Sequence, residues 1–178
     1  TPEYIDVAAT LTERCGLGDR VNFKCADATR LPFDDSSFDV VWCLNVTMNI
    51  EDRAGFYAEA RRVLKPGGKF GLSEMGQGPA GNPTYPLSWA RDASYSFLVT
   101  PDELRAGLEQ AGFQITDWID EGARRKQAGG AVSRGETIFP AGEASKLVRG
   151  EDYGDRQANG AKSVMENRLT NTRLVAER

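Results

Sequence analysis

The alternation of apolar patterns predicts an α/β fold, a mostly parallel sheet layered with helices. Two observations carry this. Strand-length and helix-length patterns alternate along the 178 residues. "FDVVWCL" (38–44) is also a nearly continuous apolar run of strand length, as in a strand buried on both faces.

The elements follow in order. "TPEYIDVAATLTERCG" opens as a helix, with Thr1 at the N-cap position and Pro2 in the first helical position. Ile5, Ala8, Ala9, Thr12 and Cys15 share one face, and Gly16 stops it. Val21, Phe23 and Cys25 alternate with polar residues, which predicts a strand. A turn-rich loop leads to the 38–44 strand. "NIEDRAGFYAEARRVLKPGG" holds a helix with Phe56, Ala60, Val63 and Leu64 inward, stopped at Pro66-Gly67-Gly68. "KFGLSE" is the next strand. Residues 75–99 are rich in Gly, Pro and aromatics and too long for a plain connector, as binding loops often are. Thr100-Pro101-Asp102-Glu103 is a capping box. Its helix buries Leu104, Leu108 and Ala111, and "FQITDW" follows as a strand. Glu121 to Gly142 is Gly-rich and expected to be irregular. A helix over 151–167, with Tyr153, Ala161, Val164 and Met165 inward, and a closing strand in "RLTNTRLVAE" complete the chain.

Composition excludes several chemistries. The net charge of −4 implies no nucleic-acid surface, and "RRK" at 124–126 is expected to be a solvated loop. No apolar run approaches a membrane span of about 20 residues. There is no histidine, which removes Ser-His-Asp and Cys-His catalysis and most zinc sites. Cys15, Cys25 and Cys43 are an odd number at wide spacing, expected as small buried hydrophobes in a reducing compartment. A cytoplasmic location and no metal are the expectations.

Sheets of this kind bind ligands beyond the carboxyl ends of their strands. There sit Asp27 and Ala28, then "NVTMN" (45–49), then Glu74. Asp27 alone fits a turn or cap as well as a ligand.

The whole spaced pattern resembles a family. D-A-x-x-L-P-F at 27–33, F-D-V-V at 38–41, R-V-L-K-P-G-G at 62–68 and "TPDELRAGLEQAGF" stand in the order and spacing of class I S-adenosylmethionine-dependent methyltransferases. The resemblance spans about residues 1–119. "MNIEDR" and "PLSWA" look closest to small-molecule enzymes of the sarcosine and dimethylglycine group.

The resemblance implies a Rossmann-like methyltransferase sheet with helices on both faces. Residues 1–120 would be a partial core, and 121–178 the C-terminal part of the same domain. It also implies that the chain starts after the family's first two strands, its glycine loop and its ribose-binding acid. Thr1 would follow that acid directly, and Val21–Cys25 would lack its strand neighbours. S-adenosyl-L-methionine is the implied cofactor. Asp27 would accept from the adenine amino group, as an acceptor-only carboxylate can. The Ala28 backbone N–H would meet a ring nitrogen, and Leu31 and Phe33 would wall the adenine, with core packing the alternative for Phe33. Asn45 and Val46 would line the methionyl part. Met48 and Asn49 would face a small-molecule acceptor, with Asn49 equally suited to cap the next helix. Tyr85 and Trp89 would contact a methylammonium group, or else fold the loop on its own aromatics.

The implied reaction is in-line transfer of a methyl group to an N or O nucleophile, governed by positioning. If a base is needed, Glu74, Asp92, Tyr85 and Tyr95 are the candidates. A non-catalytic methyltransferase-like module is the alternative. A phospho-receiver domain is remote, because its acid should stand where Leu44 or Asn45 does. A nicotinamide dehydrogenase needs a glycine fingerprint absent here. Nothing in the sequence specifies an oligomeric state.

Overall fold

A computed structural model describes residues 1–124, 126, 127 and 150–178. Most of the 121–142 segment, and Arg125 of the basic run, lie outside the described residues.

Four strands form one sheet in the order β1-β2-β4-β3. They are β1 (Phe38–Leu44), β2 (Leu64–Gln77), β3 (Gln114–Asp120) and β4 (Leu169–Glu177). The long helices are α1 (Pro2–Arg14), α2 (Arg53–Val63), α3 (Pro101–Gln110) and α4 (Tyr153–Met165). Residues 122–124, 126 and 127 are also helical, where the Gly-rich pattern and the basic run predict irregular chain and loop. The layered α/β class is as the pattern predicts. The sheet is more mixed than expected: β1 and β2 are parallel, while β4 inserts between β2 and β3 antiparallel to both.

The core lies between this sheet and the α2–α3 layer. α2 buries Phe56, Tyr57, Ala60 and Val63; α3 buries Leu104 and Leu108. Phe70 of β2 is fully buried, with Phe56 and Phe113 rings at 6.1 and 5.3 Å. The capping box at Thr100 and Glu103 forms with both hydrogen bonds in place. The K-P-G-G turn works through its glycines: Gly67 has φ +75°, and a Cβ at Gly68 would sit 2.8 Å from the Lys65 carbonyl.

Several expectations change. Among the described residues Val21–Cys25 pairs with no strand, and it is irregular; Val21 N–H instead bonds the Leu17 carbonyl at 3.1 Å. Alternation makes a strand only when a neighbour takes its backbone groups. α1 forms with Thr1 at its N-cap, but the Thr1 side chain makes no cap bond and the helix buries no residue. Its Ile5, Ala8, Ala9 and Thr12 face is half-buried. Cys15 and Cys25 are exposed and only Cys43 is buried; all three are free thiols. Asp52, not Asn49, caps α2, its carboxylate accepting the Gly55 N–H at 2.8 Å. On α4, Met165 is 46% exposed and Ser163 takes its place inside. Among the described residues, no helix is long and apolar enough to cross a membrane.

Candidate functional site

The loop after Val21–Cys25 is held from α2. Glu59 accepts the Leu31 N–H at 2.8 Å, and Arg62 donates to the Leu31 and Phe33 carbonyls at 3.1 and 2.8 Å. Arg62 also pairs with Glu59 and Asp35. The arginine of R-V-L-K-P-G-G therefore lashes D-A-x-x-L-P-F to the helix, which gives those two motifs a joint physical reason. Hydrogen bonding from Arg62 holds the Glu59 carboxyl below its ordinary range. Within the loop, Asp27 is exposed, and one of its oxygens accepts from the Thr29 N–H and hydroxyl at 2.9 and 2.8 Å. Those bonds keep it ionised below the usual aspartate range. Ala28 packs on the core cluster that contains Cys43 and Phe56. Leu31 and Phe33 are half-buried, and Phe33 stands edge-on to Phe38 at 4.9 Å.

The second segment follows β1. Asn45 takes φ +52°, a left-handed conformation that Asn tolerates better than most residues. Its N–H bonds the Ser73 carbonyl at 2.7 Å, closing the end of the parallel pair. A one-turn 3₁₀-helix, Thr47–Asn49, comes next. Val46 and Asn49 are exposed, whereas Met48 is 3% exposed. Sequence reasoning passed over Thr47. It is fully buried, and its hydroxyl has no hydrogen-bond partner among the described residues.

The third group lies at the far end of β2. Met48, Met75, Leu87, Val164 and Leu169 form a second apolar cluster, with Tyr85, Trp89 and Leu98 packed against it. The 78–99 segment is tied to α4 and β4: Ser163 accepts the Thr84 N–H at 2.9 Å, Asn159 donates to the Pro86 carbonyl and Arg168 to the Asn82 carbonyl. Trp89 donates its indole N–H to Ser96 at 3.1 Å. Tyr85 and Trp89 thus pack against a cluster drawn from the 47–49 turn, β2, their own loop, α4 and β4.

Of the candidate bases, Asp92 is engaged at the 93–95 turn, accepting from Ser94, and Tyr95 is 65% exposed. Glu74 is 1% exposed and bound by Arg53 at 3.0 Å. Burial pushes its pKa up, while Arg53 offsets part of the rise. A cleft of about 370 Å³ between α2 and α3, lined by Arg53, Tyr57, Val99, Glu103 and Gly107, contains none of the strand-end residues predicted as ligands.

Residues 1–72 match the model of a family described as "Methyltransferase domain". That stretch is similar to a methyltransferase domain. The chain is 41% identical over 152 residues, 85% of its length, to the sterol 24-C-methyltransferase erg6 of Aspergillus fumigatus. The solved structure of the [4+2]-cyclase SpnF covers 98% of the chain with TM-score 0.69 and 27% identity, and the chain covers 62% of it. A geranyl diphosphate methyltransferase in complex with S-adenosylmethionine covers all of it with TM-score 0.76 and 14% identity, with 66% of that structure covered. The four-stranded sheet with its helices is thus a Rossmann-like methyltransferase fold. The chain spans about a third of the length of the sterol relative.

Proposed function

We propose that this chain is part of an enzyme that transfers the methyl group of S-adenosylmethionine to an apolar small molecule by in-line displacement. The observation that carries the reading is the pair of segments at the carboxyl ends of the two parallel strands. The 45–49 turn follows β1, and Met75 of the apolar cluster stands near the end of β2, where α/β sheets take ligands.

The residues fit the cofactor chemically. Asp27 is ionised, exposed and spends one oxygen on Thr29, so it remains an acceptor. Ala28 offers no side-chain bulk. Asn45 and Val46 are exposed beside the end of β1. When bound, S-adenosylmethionine supplies an electrophilic methyl on a positively charged sulfur. This chain's residues orient and shield. Arg62 and Glu59 fix the adenine-side loop, and the Asn45 turn fixes the methionyl-side backbone. The cluster around Met48, Met75 and Leu87 forms an apolar wall that keeps water back.

The sterol relative supports an apolar acceptor and adds carbon to the N and O nucleophiles that the sequence suggests. The likeness to a [4+2]-cyclase favours a second reading, a fold retained without methyl transfer. Incubation with methyl-labelled S-adenosylmethionine and panels of sterols, terpenoids and polyketides separates the two. Label in an extracted small molecule supports the transferase. Cofactor binding with no label in any acceptor supports the alternative.

A further inference from the structure

We infer that Arg53 and Glu74 are a positioning pair that latches the 92–99 segment onto the acceptor side of the site; this rests on the methyltransferase reading above. All three guanidinium nitrogens are engaged. Nη1 donates to Glu74 Oε2 and Oε1 at 3.0 and 3.2 Å and to the Tyr57 hydroxyl at 3.1 Å. Nη2 and Nε both donate to the Phe97 carbonyl, at 2.8 and 3.2 Å. The other backbone group of Phe97, its N–H, donates to the Met48 carbonyl at 2.8 Å. Phe97 is thus gripped from both sides, by α2 through Arg53 and by the 3₁₀ turn through Met48. Its neighbour Leu98 then packs, with Trp89, on the cluster built from Met48 and Met75.

A contribution to stability does not account for the pair. The Arg53 and Glu74 side chains are 10% and 2% exposed. Removing two charges from water at such a site costs about as much as their attraction returns, and apolar replacements are often neutral or better. What an apolar pair lacks is the planar fork that spans a carboxylate on one edge and a carbonyl on another. The carboxylate of Glu74 fixes the fork and the fork fixes Phe97. Glu74 therefore acts through Arg53. The latch joins three places distant in sequence: the start of α2, the late part of β2 and the end of the long 78–99 segment. The last two border the apolar wall, for Met75 follows Glu74 and Leu98 follows Phe97.

The experiment compares the parent protein with Arg53→Lys and with the double variant Arg53→Met/Glu74→Gln. The double variant leaves no unpaired buried charge, and so guards against simple failure to fold. Two local signals are read: amide hydrogen exchange by peptide, and the indole ¹H–¹⁵N resonances of the three tryptophans. The latch predicts at least tenfold faster exchange across 92–99 in both variants, with peptides from 64–72 and 104–113 unchanged. It also predicts a shifted Trp89 indole resonance, with those of Trp42 and Trp118 in place. Unchanged protection at 92–99 in the double variant overturns the proposal, as does loosening spread evenly through the core. S-adenosylhomocysteine is titrated in parallel. Absence of any response in the parent overturns the methyltransferase reading, while the exchange data still judge the latch.

Discussion

The two flanks of the sheet are built from similar sequence and end in different states. On the α2–α3 flank, Phe56, Leu64, Phe70, Leu72, Leu104 and Leu108 are each under 7% exposed. In α1, Tyr4, Val7 and Leu11 stand 76%, 57% and 55% exposed, and on the outer face of β1, Val40, Trp42 and Leu44 stand 54%, 69% and 50%. The β1 residues make the lesson plain. Val41 and Cys43, alternating with them, pack on the core cluster, so one strand is core on one face and open on the other. Trp42 lies over Gly71, where a Cβ would come within 3.2 Å of its ring. Apolar sequence specifies burial only where the topology supplies something to bury against.

Substitutions can break this contrast. Phe70→Ala should cost about 3–5 kcal/mol in chemical denaturation, because it leaves a cavity among Phe56 and Phe113. Val7→Ala should cost less than about 0.5 kcal/mol. Equal costs would mean that α1 is packed as firmly as the core face of β2. Next in size, Trp42→Lys should lower the tendency to associate, read by light scattering, since an exposed apolar edge strand invites pairing. Unchanged scattering would show that the β1 face is not adhesive.

A pH series sharpens the contrast within the site. Glu59 has a folded pKa held below its ordinary value, so its bond to the Leu31 N–H stabilises the fold above that value. The contribution is lost as pH falls through the folded pKa, below the ordinary glutamate range. Protection of the Leu31 amide, corrected for intrinsic rate, should therefore fall in acid and be pH-independent in Glu59→Gln. The smallest effect concerns the thiols. Burial and the nearby Glu74 raise the Cys43 pKa to about 11, so at neutral pH a thiol reagent should label Cys15 and Cys25 and spare Cys43 until unfolding.

Much of this was legible in the residues. The Thr100 box, the Gly16 helix stop and the β4 strand in "RLTNTRLVAE" all depend on local chemistry, which sequence displays directly. The position of β4 between β2 and β3 is non-local, and nothing in its pattern announces it. Val21–Cys25 has the alternation of a strand, yet pairing belongs to its surroundings. In the site, Asp27 and the 45–49 turn could be found from strand-end position. The Arg62 lashing and the Arg53–Glu74–Phe97 latch could not, because each joins residues 21 to 44 positions apart. Their only sequence signal is an arginine on an otherwise core-facing helix.

The central claim is that Asp27 anchors the adenine side of an S-adenosylmethionine site. Asp27→Asn is the direct probe. It keeps an oxygen for Thr29 and so keeps the turn, but turns the remaining acceptor into a donor. Calorimetric titration with S-adenosylhomocysteine should give one-to-one binding by the parent protein, and at least about tenfold weaker binding by Asp27→Asn, the scale of a lost hydrogen bond to a charged group. Equal affinity in the two proteins, or no binding by the parent, would contradict the account.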